Sequence, residues 1–165
     1  MQDAEGAQGV MDAPRPPRIV CPARGGQGSR PAVNRAIRLA KERNADLTFL
    51  FVVDVEFLSY ATVGRLSVIQ RQLRDMGEFI MATLQAKARE SGVIADYAVL
   101  EGEVREQIRK YLEENPVDTL VMGRPIEETE VAVFNAGTVS NFAAALEREA
   151  GIEVILIGQQ DVLLE

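Results

Sequence analysis

Two glycine-bearing segments hold the residues in this chain best suited to chemistry. The first, Ala23-Arg24-Gly25-Gly26-Gln27-Gly28-Ser29, has three Gly within four residues and runs into Ser29 and Pro31, which signal a helix start. Free backbone N–H groups at such a start, with Gly allowing close approach, favour an anion such as phosphate. The same composition also suits a flexible turn with an ordinary cap. The second segment, Gly137-Thr138-Val139-Ser140, opens a later helix and offers N–H groups and two hydroxyls. It ends a connection of about fourteen residues that begins at Gly123, where roughly two to six are usual, and long loops in compact domains tend to be functional. The plainer reading makes Thr138 a cap and the long segment a cover for a sheet edge. Arg24 is either a solvated loop cation or a clamp for phosphate or carboxylate. Glu127, Glu128 and Glu130 either share Mg²⁺ with a phosphate or form a hydrated acidic loop.

Other chemistries are excluded by residue type. The chain has 165 residues and no His, so a Ser/His/Asp or Cys/His nucleophile, an H-E-x-x-H zinc site and an imidazole pH switch are all ruled out. Its single Cys makes neither an internal disulfide nor a metal cage, and no metal centre is expected. Cys21 sits inside an apolar run with no cationic partner to activate its thiol, and behaves as a small apolar residue. No catalytic residue is assigned. Lys and Arg number 18 against 25 Asp and Glu, a net charge of −7, and duplex nucleic acid is not an expected partner because no basic block stands out.

The elements that must position these loops follow from periodicity. With 47% apolar residues the chain is sized for one domain that buries about 70% of its unfolded surface. Residues 1 to 17, rich in Gln, Gly, Ala and Pro, form a disordered tail; the domain spans 18 to 157; residues 158 to 165 are an extension. Arg18 to Pro22 is a first strand, followed by a helix with Ala32, Val33, Ala36, Ile37 and Ala40 on its buried face. Asp46 to Val53 is a strand covered on both faces. Leu66, Ile69, Leu73, Met76, Ile80 and Leu84 mark the buried stripe of a long helix that stops near Ser91-Gly92. Ile94 to Leu100 reads as a strand nearer an edge. Val104, Ile108, Tyr111 and Leu112 form the next helical face, and Val117 to Met122 a fourth strand. A last helix carries Val139, Phe142, Ala143 and Leu146, and Ile152 to Ile157 is the fifth strand. Strands alternating with helices predict an α/β domain with a five-stranded parallel sheet and helices on both faces. The apolar runs are too short to cross a bilayer, and the acidic, polar start lacks the order of a signal, so a cytoplasmic protein is expected.

From Arg18 to Ile157 the chain resembles the universal stress protein family. The resemblance rests on Val20-Cys21-Pro22 ending the first strand, Val52-Val53-Asp54 closing the second, Glu101-Gly102 before the third helix, Val121-Met122-Gly123 ending the fourth strand, and Gly137-Thr138-Val139-Ser140. It implies strand order 3-2-1-4-5, a Rossmann-like fold, and a homodimer through the last strand. The apolar Val162, Leu163 and Leu164 suit such a contact. It also implies ATP or another adenine nucleotide, with Mg²⁺, lying across the ends of strands one and four. The family signature of Gly, two residues, Gly, nine residues, Gly and Ser or Thr is degraded here. Ile126 replaces the second Gly, one extra residue precedes Gly137, and Arg24 stands where the family has Asp.

The expected ligand site therefore comprises Pro22, Ala23, Arg24, Gly25, Gly26, Val53, Met122, Gly123, Arg124, Gly137, Thr138, Val139 and Ser140. Gly25, Gly26, Gly137, Thr138 and Val139 would supply N–H groups, Thr138 and Ser140 hydroxyls, and Pro22, Ala23, Val53, Met122 and Gly123 the nucleoside side. The competing reading is a regulatory or structural dimer that has lost nucleotide binding. A third, an ATP-using enzyme of the PP-loop pyrophosphatase kind, rests on Gly25-Gly26-Gln27-Gly28-Ser29 alone. Phe57, Leu58 and Tyr60 lie in a loop that would cover a ligand, pack on the sheet edge or meet a partner.

Overall fold

The computed structural model describes residues 14–54, 66–124 and 136–158. Among them, β1 (Arg18–Pro22), α1 (Arg30–Arg43), β2 (Asp46–Val53), α2 (Leu66–Glu90), β3 (Ala95–Glu101), α3 (Val104–Glu114), β4 (Thr119–Gly123), α4 (Ala136–Ala150) and β5 (Glu153–Ile157) alternate along the chain. The five strands form one sheet in the order β3-β2-β1-β4-β5, with every neighbouring pair parallel. Both the α/β class and the strand order match the sequence expectation. Among the described residues no helix is long and apolar enough to cross a membrane.

Alternation along the strands builds two cores. Ile19, Cys21, Phe49, Phe51 and Val121 point to the side covered by α1 and α2, where Ala32, Val33, Ala36 and Met81 meet them. Val20, Leu50, Leu120 and Met122 point to the other side, against Val104 and Ile108 of α3 and Phe142 and Leu146 of α4. The central strands are thus apolar on both faces, as a parallel sheet sandwiched by helices demands.

Three local expectations need correction. Met76 does not belong to the buried stripe of α2: it is 48% exposed, with Met81 and Ala88 fully buried instead. The buried line runs through Leu73, Gly77, Met81 and Ala88, and Met76 is turned about 100° away from it. Gly77 fixes that rotation, since a Cβ there would lie 2.5 Å from Cδ1 of Phe51. The helix therefore presses its backbone onto a phenyl ring. Second, β3 begins at Ala95, and Ile94 lies outside it with 87% of its surface exposed. Third, α4 begins at Ala136 and is opened by Gly137 to Ser140 as expected, but Thr138 lies inside its first turn and is not its cap.

The amino rim of the sheet is tied by polar contacts. Asp118, just before β4, accepts from Arg15 Nη1 at 2.9 Å, Arg15 Nη2 at 3.1 Å and the backbone N–H of Arg18 at 2.8 Å. Arg43, at the end of α1, donates to Glu153 of β5 at 2.8 Å and to the buried hydroxyl of Thr119 at 3.1 Å. The Arg15 guanidinium and the Arg18 N–H hold the Asp118 carboxyl below the usual range, and Arg43 does the same for Glu153.

Two outcomes follow from these contacts. Gly77→Ala should lower unfolding free energy by about 1–3 kcal/mol in a urea titration, because steric conflict with Phe51 outweighs the better helix propensity of Ala. A lowered native carboxyl pKa contributes stability that is complete at neutral pH and is lost as the pH falls from the ordinary carboxylate range through the native value. Asp118→Asn should therefore cost no more than about 1 kcal/mol at pH 7, since the pair is partly exposed, and the gap to the wild type should close in acid. Thermal melts across that pH range check it.

Candidate functional site

Because β1 and β4 are parallel neighbours, the segments that follow them leave the sheet at the same rim. The chain moves from β1 outward to β2 and β3 on one side, and takes β4 and β5 on the other. This reversal beside β1 is where open α/β sheets hold ligands. The Gly25 loop and the end of β4 thus lie at one rim.

The β1 loop is shaped by two consecutive left-handed glycines, Gly25 at φ +78° and Gly26 at φ +79°. They serve different ends. A Cβ on Gly25 would stand 2.9 Å from Cγ2 of Ile80, so α2 fills that side, whereas a Cβ on Gly26 would meet nothing within 4 Å. Ser29 takes the N-cap position of α1 but makes no side-chain cap; its backbone is helical, and its hydroxyl accepts from the N–H of Arg24 at 3.0 Å. The serine thus closes the loop on itself, and in the first turn of α1 the N–H of Arg30 donates to the Gln27 carbonyl at 3.3 Å while Pro31 has no N–H to offer.

The loop meets the end of β4. A Cβ on Gly123 would lie 3.5 Å from the Gly28 carbonyl and 3.8 Å from Cβ of Ala32, so the end of β4 runs beside the β1 loop and the first turn of α1. Beyond Gly123, the N–H of Arg124 donates to the Ile157 carbonyl at 2.8 Å and prolongs the β4–β5 ladder. Arg24 and Arg124 are exposed at this rim, as is Ser140 on the first turn of α4.

Several expected site residues are committed elsewhere. Ala23 and Val53 have side chains in the core under α1 and α2. Met122 faces the opposite core with Phe142, and Val139 is also buried, so these four have only backbone or an edge to offer a ligand. Pro22 is half-buried at the end of β1. Gly137 and Thr138 lie in the helical first turn of α4, whose backbone alone is described. Ile126, Glu127, Glu128 and Glu130, with Phe57, Leu58, Tyr60, Val162, Leu163 and Leu164, fall outside the described residues. Cys21 is fully buried, and burial pushes its thiol up to about 12, so it is no nucleophile.

Sequence reasoning missed Ile80 as the wall behind Gly25 and the Gly28 carbonyl as the neighbour of Gly123. The helical stripe did name Ile80 as inward-facing. What it could not give was the depth at which α2 passes the β1 loop.

Comparison with known proteins agrees with this geometry. The profile of the universal stress protein family matches residues 17–140. Universal stress protein MJ0531 of Methanocaldococcus jannaschii is 32% identical over 107 residues, covering 64% of this chain and 63% of that protein. The structure of universal stress protein UspA from Lactobacillus plantarum superposes with a TM-score of 0.70 at 23% identity, covering 87% of this chain and 98% of that one. A universal stress protein family structure from Arabidopsis thaliana with AMP bound gives a TM-score of 0.55 at 17% identity, covering 87% and 92%. A profile match over most of the chain, on a sheet of the expected order, means that this chain belongs to the universal stress protein family.

Proposed function

We propose that the rim above β1 and β4 binds an adenine nucleotide, and that the protein acts as a ligand-responsive cytoplasmic module rather than as a fast enzyme. The observation that carries the reading is the parallel pairing of β1 with β4, which supports both glycine-bearing segments opening on one rim. The AMP complex of the Arabidopsis thaliana relative supports an adenine ligand. The phosphates would take the N–H groups of Gly25, Gly26, Gly137, Thr138 and Val139 and the hydroxyls of Thr138 and Ser140. Arg24 and Arg124 add two exposed guanidinium groups at that rim, which suit an anionic ligand. Mg²⁺, when bound, would offset the charge of phosphate and of the Glu127 to Glu130 stretch. The nucleoside would rest against Pro22, the backbone of Ala23 and Val53, and the ends of Met122 and Gly123. Two copies would join along β5, whose Val154 to Ile157 are half-exposed, with residues 158 to 165 extending the contact. The folded unit would be residues 18 to 157, preceded by the tail.

A second reading, a regulatory dimer without nucleotide, is favoured by two particulars. The Cβ side of Gly25 is already filled by Ile80, and Ile126 stands in place of the signature's second Gly.

Calorimetric titration with ATP, ADP and AMP, with and without Mg²⁺, separates the two. Nucleotide binding predicts measurable heat and a rise in Tm, with about 2.7 kcal/mol of added stability at a hundredfold excess over Kd. Gly137→Asp, which sets a carboxylate among the phosphate donors, should abolish both effects. Absence of heat and Tm shift in the wild type selects the nucleotide-free dimer. The same samples should sediment at twice the monomer mass.

A further inference from the structure

The net charge of −7 conceals a strong segregation. Between Pro14 and Ala45 stand eight Lys or Arg residues and one acid, Glu42, a charge of +7, so against −7 for the whole chain the remainder carries −14. The fold disposes of these cations in distinct ways. Arg15 and Arg43 are spent on Asp118 and on Glu153 at the amino rim. Arg24 stands at the carboxyl rim. Arg18 opens β1, and the other four, Arg30, Arg35, Arg38 and Lys41, are on α1.

Helical geometry gathers them on one side. The face of α1 opposite Ala32, Val33, Ala36 and Ala40 carries Arg30, Asn34, Arg38 and Lys41 at intervals of about one turn, and all four are exposed or half-exposed. Arg35 flanks this row with a long contact of 3.8 Å to Glu42, and Lys87 of α2 adds its ammonium by donating to Asn34 at 2.6 Å. From Arg30 to Lys41 the row is about 16 Å long and one helix wide. Its cost to the fold is visible at the N-terminus of α1, where Arg30 meets the positive end of the helix dipole with no acid in the first turn.

We propose that this basic row on α1 is a docking surface for a carboxylate-rich segment of another protein, with Asp or Glu spaced one helical turn apart. Charge complementarity selects an anionic occupant, and two features select protein over nucleic acid. The row carries no aromatic side chain on which a base could stack. It is a single helix wide, and the −14 of the remaining chain would press against the phosphates of a broader duplex.

The test titrates fluorescent oligoglutamate, duplex DNA and single-stranded RNA into the full chain at low and physiological salt, reading anisotropy. Oligoglutamate should bind best and weaken with salt. The double reversal Arg38→Glu with Lys41→Glu should weaken it by about tenfold or more, the neutral pair Arg38→Gln with Lys41→Gln by less, and Arg148→Glu on α4 should leave it unchanged. Both α1 variants should keep the wild-type Tm to within a few degrees. No oligoglutamate binding at physiological salt, equal loss in Arg148→Glu, no loss in either α1 pair, or tighter binding of DNA or RNA would each overturn the proposal.

Discussion

Central strand β1 is the constraint on which the rest depends. Its five residues pair in parallel with β2 on one side, Ile19 and Val20 pair with β4 on the other, and its alternating side chains enter both cores. A strand so placed has no free edge and no polar face. The loops after β1 and β4 therefore leave at one rim, whatever their own sequences prefer. The rim that carries the β1 loop and the end of β4 is a consequence of strand pairing.

The opposite rim does a different task. There the chain uses charge where it lacks apolar surface: Asp118 draws together the entry to β1 and the approach to β4, and Arg43 links α1 to β5 across the buried Thr119. These ties lie at the far ends of the strands from the β1 loop and Gly123, so change at the carboxyl rim can leave them intact.

Most of the architecture was legible in the sequence because a parallel sheet sandwiched by helices writes itself in period: unbroken apolar runs for β1, β2 and β4, and stripes such as Ala32, Val33, Ala36, Ile37 and Ala40 for the helices. The error at Met76 has a physical origin. Spacing alone treats Gly77 as neutral, yet its missing side chain lets α2 approach Phe51 and turns Met76 to solvent. The site was legible as a rim but not as a set of side chains. Val53, Met122 and Val139 fit a lining list by position, while the pleat and the helix phase send them into the cores. The serine read as a cap closes its own loop, since the two positive φ values at Gly25 and Gly26 bring the Arg24 N–H back to it. The basic row on α1 escaped the sequence reading because a net charge averages over a chain whose charges are segregated.

The central claim is that both glycine-bearing segments face one ligand. The most direct measurement is an amide chemical-shift titration of nitrogen-labelled protein with AMP. The account predicts saturable shifts that cluster at Gly25, Gly26, Arg124, Gly137, Thr138 and Val139 and spare the amino rim around Asp118. Shifts confined to one of the two segments, or scattered without saturation, would contradict it.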